Sequence, residues 1–238
     1  TELDLADEAE YAIMAQSFGN GEIIFQWPYY RPFLLPMLWG LFVKLGLGLL
    51  SFKISILIFS LLSIFLVYLI GKDFFNPKVG ILAAFFVSFF PEEILHSVRL
   101  LLNSPALAMW LFSVYSFQKA YFSRSLKWLY FSAVITGLAI LVYTQNIALL
   151  PFYFIFLILA EGPRFIKSYK YLYFFLISIF FYFLNFLYSY IWFNDMLKSF
   201  GYGLWLSLID TTSRNIFYVL WSFIRYLPKY LSWFYIPL

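Results

Sequence analysis

The sequence predicts an all-α, polytopic transmembrane protein, and three observations carry that reading. Apolar residues make up 63% of the 238 positions and charged residues 12%, with a mean hydropathy of +0.83; soluble domains run at about 45–50% and about 25%. Apolar runs recur at close to the roughly 20-residue length that a helix needs to cross a bilayer. Segments such as 171–193 lack the alternation of a transmembrane barrel strand, and in lipid the backbone must then satisfy its hydrogen bonds within helices.

Residues 6–18 mix Ala6, Tyr11, Ala12, Met14, Ala15 and Phe18 with charges and are closed by the breaker run Gly19-Asn20-Gly21. That pattern predicts an amphipathic helix lying at the membrane interface. After Trp27-Pro28-Tyr29-Tyr30-Arg31-Pro32 comes an apolar stretch, 33–50, interrupted by Pro36, Gly40, Lys44, Gly46 and Gly48. Cleaner runs follow at 52–71, 79–95, 103–118, 128–142, 144–160, 171–193 and 214–236. The runs 79–95 and 128–142 are short for a crossing, and with Pro91 and Pro151 nearby they are expected to be tilted or broken.

Charge decides whether 33–50 crosses. If it stays at the interface, the loops with Lys72 and Lys78, with Lys119, Arg124 and Lys127, and with Arg164, Lys167 and Lys170 all fall on one side, against two acids, Asp73 and Glu161. The other ten of the twelve acids, among them Asp7, Glu8, Glu10, Glu92, Glu93, Asp195 and Asp210, fall opposite. Short cytoplasmic loops are rich in Lys and Arg, so residues 1–50 are expected to form an extracytoplasmic loop with juxtamembrane or re-entrant helices. Residues 51–238 are then a transmembrane domain of seven spans in a cell membrane. The chain opens with Thr1 and closes inside an aromatic segment, so a fragment lacking an upstream transmembrane helix is expected.

Several classes are excluded. The net charge of +4 and pI near 9.0 do not indicate nucleic acid, because the basic residues are scattered through short loops. With no cysteine, there is neither a disulfide framework nor a thiolate metal site. No Gly-rich phosphate loop, Gly-x-Ser-x-Gly or histidine pair is present.

Chemistry is then sought in the polar interruptions. Asp7 and Glu8 open the interfacial helix; side chains of adjacent helical residues point about 100° apart, so the two cannot share one task. They are either reactive carboxylates within reach of a membrane-borne substrate or acids favoured by the helix dipole. Arg31, beside Tyr30, has the planar fork that matches a phosphate; its other reading is an interfacial arginine whose charged tip snorkels to water. Glu92, His96 and Arg99, spaced by four and three, would share a helical face. This group reads either as a hydrogen-bonded network or as a divalent-cation site. No cofactor is certain, and a metal is left open. Asn103-Ser104-Pro105 is a helix start with either polar residue as cap, and Gln145 with Asn146 either caps a helix or lines a polar cavity. Glu10 reads as ordinary helix surface.

The order Asp7-Glu8-Ala9-Glu10-Tyr11-Ala12, Gly19-Asn20-Gly21, then Tyr30-Arg31-Pro32 before a Leu/Trp-rich helix resembles the first external loop of the GT-C glycosyltransferases. The nearest types are the protein O-mannosyltransferases and the lipid A aminoarabinose transferases. Asn103-Ser104-Pro105 and the stretch from Gly137 to Pro151 extend the resemblance over about residues 4–151. It implies a polyprenyl-phosphate sugar donor such as dolichyl phosphate mannose, a lipid or protein acceptor hydroxyl, and inversion at the anomeric carbon on the external face. It also implies Asp7 as general base, Glu8 as its support, and Arg31 with Tyr30 at the donor phosphate; His96, Arg99, Asn103 and Gln145 would belong to a polar cavity. The chain departs from the family where Tyr143, Thr144 and Gln145 stand in place of a basic residue, Asn103 in place of an Asp, and Glu10 in place of the Arg of aminoarabinose transferases. The competing class is a non-catalytic multi-pass lipid-binding scaffold or transporter subunit. Transporters typically carry repeats and charges deep within helices, and these runs are almost free of such charges. An enzyme is expected to have Asp7 and Arg31 facing each other across a groove open to the bilayer.

Overall fold

The computed structural model describes residues 6–21 and 31–193. Its elements are all helical: α1 (Ala6–Asn20), α2 (Leu34–Lys44), α3 (Leu49–Phe74), α4 (Pro77–Ser88), α5 (Pro91–Ser97), α6 (Asn103–Ser123), α7 (Leu126–Val142), α8 (Leu149–Glu161) and α9 (Tyr169–Phe193), with 3-10 turns at Thr144–Ala148 and Pro163–Lys167. Among the described residues, three stretches are long and apolar enough to cross a membrane: Leu49–Phe74, Thr144–Glu161 and Tyr169–Tyr188. The α4–α5 pair makes a fourth if counted as one span, bent by 66°. That bend falls at Phe89-Phe90, where Pro91 begins a new helix instead of continuing the old one. Of the seven expected crossings, 214–236 lies outside the described residues. The outer faces of α3, α4 and α9 expose Leu61, Phe65, Phe86, Phe180 and Phe183, the surface that lipid covers.

α2 has 11 residues and reaches roughly 16 Å, half of the roughly 30 Å hydrocarbon core. α7 is the central helix, packed between α6 and α9, and is buried nearly all round, from Leu129 and Ala133 to Ile140 and Val142. Its polar groups are satisfied inside the bundle. The Ser113 hydroxyl lies 2.7 Å from Thr136 Oγ1 and 2.6 Å from the Tyr153 hydroxyl, which ties α6, α7 and α8 together where lipid offers no partners.

α3 and α4 cross so closely that a Cβ on Gly80 would lie 2.6 Å from the Tyr68 carbonyl oxygen and one on Gly71 would lie 2.9 Å from Gly80 Cα. These obstacles are backbone atoms, which no rotamer change relieves. Gly80→Ala is therefore expected to destabilise the protein by about 1–3 kcal/mol, read as a lowered melting temperature in detergent. Gly48→Ala, with nothing within 4 Å of the new methyl, is expected to melt as the parent does. Equal melting of both variants would refute the tight crossing.

The helix ends segregate. Lys119 Nζ is 2.7 Å from Asp73 Oδ2, Arg124 Nη1 is 3.5 Å from Glu161 Oε1, and the Tyr171 hydroxyl donates to Glu161 at 2.5 Å. The ends of α3, α6 and α8 and the start of α9 thus gather at one basic end. At the other end α1 and α2 pack with Phe52 and Ile56 of α3, the segment Leu100–Leu102, Leu141 and Tyr188. Phe33 stacks on Tyr188 with ring centroids 4.3 Å apart.

Candidate functional site

The acidic end is organised by the α1–α2 pair. A Cβ on Gly19 would sit 2.6 Å from Val43, and one on Gly40 would sit 2.6 Å from Phe18 Cβ, so both positions need hydrogen for the helices to meet. α1 presses Tyr11, Ala12, Met14 and Ala15 into the core. With one helix fixed on the other, Arg31, which precedes α2, returns to the first two turns of α1.

There it is clasped by three side chains spaced at i, i+3 and i+4, the positions that share a helical face. Arg31 Nη2 donates to Asp7 Oδ1, and Nε donates to Glu10 Oε2 at 2.8 Å. The guanidinium carbon lies 5.4 Å from the centre of the Tyr11 ring, within cation–π range. Burial pushes the Tyr11 phenol up to about 12, with Arg31 pulling the other way; Tyr11 is therefore a neutral ring against the cation. Partial burial opposes the Arg31 charge, yet Tyr11, Glu10 and Asp7 hold the guanidinium above its ordinary value. Side-chain exposure is 50% for Asp7, 32% for Glu10 and 20% for Arg31, so Asp7 is the most accessible member of the clasp.

This arrangement corrects two expectations. Glu10 is not ordinary helix surface but the partner of the Arg31 Nε edge. Asp7 and Arg31 do not face each other across a groove; they are in contact. The signal was present in the sequence, since Asp7, Glu10 and Tyr11 share a helix face, whereas Asp7 and Glu8 do not. Glu8 points inward at 2% exposure. Tyr30 lies outside the described residues.

The second polar group is also rearranged. α5 ends at Ser97, so Arg99 lies beyond it and does not share a helical face with Glu92 and His96. His96 Nε2 is 4.0 Å from Glu92 Oε1 and 3.2 Å from Asn103 Nδ2. Neither Asn103 nor Ser104 caps α6: the cap position is Leu102, without a side-chain hydrogen bond, and Asn103 turns to His96 instead. Gln145 is exposed on the 3-10 turn, whereas Asn146 is buried. The Asn146 amide donates to the carbonyls of Ala139 at 3.0 Å and Ala106 at 3.3 Å, joining α7 to α6 rather than lining a cavity. The Glu92–His96–Asn103 group and the Arg31 clasp flank the same core, through Leu100–Leu102 and Tyr11. Among the described residues no group of three His, Asp or Glu side chains could hold a metal ion.

Chemically, the clasp offers a half-exposed carboxylate fixed by a guanidinium, the composition of a base beside an anion-binding group. A family model described as dolichyl-phosphate-mannose-protein mannosyltransferase matches residues 30–188, about two-thirds of the 238 residues. The matched segment contains Arg31, both arms of the α6–α7 hairpin and α9 to Tyr188; α1 precedes it. No curated protein and no solved structure matches the chain.

Proposed function

The chain belongs to the dolichyl-phosphate-mannose-protein mannosyltransferase family, and from that premise we propose that it moves a sugar from a polyprenyl-phosphate carrier to the hydroxyl of a protein or lipid acceptor. The acceptor oxygen attacks the anomeric carbon, the bond from that carbon to the phosphate oxygen breaks, and polyprenyl monophosphate leaves with inversion. Asp7 takes the acceptor proton. A general base so placed contributes about 10² to 10⁴-fold.

The observation that carries this reading is the clasp of Arg31 by Asp7 and Glu10 at the acidic end of a multi-pass bundle. Two carboxylates already surround one guanidinium. A donor phosphate would therefore exchange with a carboxylate more readily than add a third anion. Asp7, the more exposed partner, is the one to yield: the phosphate takes the Nη edge, and the released carboxylate turns to the acceptor. Glu10 keeps the Nε edge and positions Arg31, whose charge stabilises the leaving phosphate. Glu8, turned into the core, supports α1 rather than meeting substrate. The excess of Lys and Arg at the opposite end supports an extracytoplasmic clasp, because short cytoplasmic loops are rich in these residues.

Membranes containing the full chain, supplied with a panel of radiolabelled polyprenyl-phosphate sugars that starts with the mannose donor, are expected to label an acceptor with the inverted anomer. No transfer from any member of the panel, by protein shown to be inserted and folded, would overturn the assignment.

A further inference from the structure

At the basic end, a small, open cleft with enclosed room for little more than a water lies between the α6–α7 turn and the first turn of α9. Phe117, Tyr121 and Leu129 line it, and Arg124 and Lys170 border it. Arg124 is, among the described residues, the one non-glycine with a positive φ, 52°, a conformation that costs about 1–3 kcal/mol. It closes α6, and Ser125 caps α7 immediately after it by accepting from the Trp128 amide at 3.5 Å.

The charges here are of unequal availability. Lys119, on the same end, is taken by Asp73. Lys170 instead lies 4.5 Å from the Tyr171 ring. Arg124, with a side chain 70% exposed, meets Glu161 at 3.5 Å, and that carboxylate also accepts from the Tyr171 hydroxyl. Two cations and one acid therefore surround the cleft, and the exposed Lys72, Lys78 and Lys127 add positive charge to the same end. Leu126, at 52% exposure, lines the cleft and carries its apolar floor out to the surface.

An apolar floor, a cationic rim and a position at the ends of membrane helices together fit an amphiphile with a phosphate head. Basic pockets between helices on the cytoplasmic side bind such head groups, each nearby Lys or Arg strengthening the attraction. We propose that the phosphate of an anionic phospholipid seats at the mouth of this cleft, between Arg124 and Lys170, with its chains in the bilayer beside the exposed Leu126. The site is separate from the Arg31 clasp and does not depend on the transfer reaction.

The test uses the full chain in nanodiscs of phosphatidylcholine containing a minor fraction of phosphatidylglycerol, with the lipid retained on the protein read by native mass spectrometry. The parent is expected to retain phosphatidylglycerol. Arg124→Gln/Lys170→Gln is expected to weaken retention about ten-fold or more, whereas Lys72→Gln/Lys78→Gln, which removes equal charge from the same end, retains it. Equal loss in both double variants would show diffuse attraction and overturn the site. Displacement of the lipid by inorganic phosphate, beyond that by chloride at matched ionic strength, would overturn the lipid as its occupant. Should the Arg124 change prevent folding, Lys170→Gln alone is expected to lower retention relative to Lys72→Gln, and unchanged retention refutes the proposal.

Discussion

Asp7→Asn is expected to lower sugar transfer by about 10² to 10⁴-fold while the protein still inserts and melts close to the parent temperature. The amide keeps the size of the carboxylate and loses its capacity to take a proton. The variant also weakens the hold on Arg31, and Glu10→Gln separates the two effects. That variant removes the other charged partner of Arg31 but leaves Asp7, so it is expected to raise the apparent KM for the lipid donor more than it lowers kcat. Asp7→Asn is expected to lower kcat at saturating donor. Retained transfer in Asp7→Asn would remove Asp7 from the role of base, and identical kinetic profiles for the two variants would show that both act only by holding Arg31.

Arg31→Ala is the second large effect. It removes the group proposed to meet the donor phosphate and leaves Asp7 and Glu10, three residues apart on one face, without the cation that joins them. Apparent donor affinity is expected to fall by at least ten-fold, the scale of losing one hydrogen bond to a charged group, about 1.5–3 kcal/mol. Arg31→Lys is expected to recover only part of it, because an ammonium supplies the charge but cannot serve two carboxylate edges with a planar fork. Unchanged donor affinity in Arg31→Ala would take Arg31 out of the phosphate site. The clasp would then be a purely structural joint between α1 and the chain entering α2.

The helices were legible because the free energy that places them is local. A run such as 171–193 belongs in lipid by its own composition, and α9 (Tyr169–Phe193) follows it closely. The break at Pro91 was legible for the same reason: proline lacks the amide that would continue the helix. Capping at Asn103 was misjudged because the signal is short and has competitors. The side chain found His96 from the neighbouring helix, and the chain entered α6 through Leu102. Asp7 and Arg31 were expected to face each other across a groove, but their direct contact was not foreseen, and Glu10 was set aside.

By itself, then, the sequence determined that the chain is helical, membrane-embedded, acidic at one end and basic at the other. Each of these properties is a sum over neighbouring residues: apolar length, loop charge and breaker positions. Only the tertiary structure decided which carboxylates hold Arg31, that Glu8 turns inward and that Arg124 and Lys170 border one cleft. The physical reason is the helix crossing. Arg31 lies 24 residues from Asp7, and the two meet because α1 seats on α2 where Gly19 and Gly40 carry no side chain.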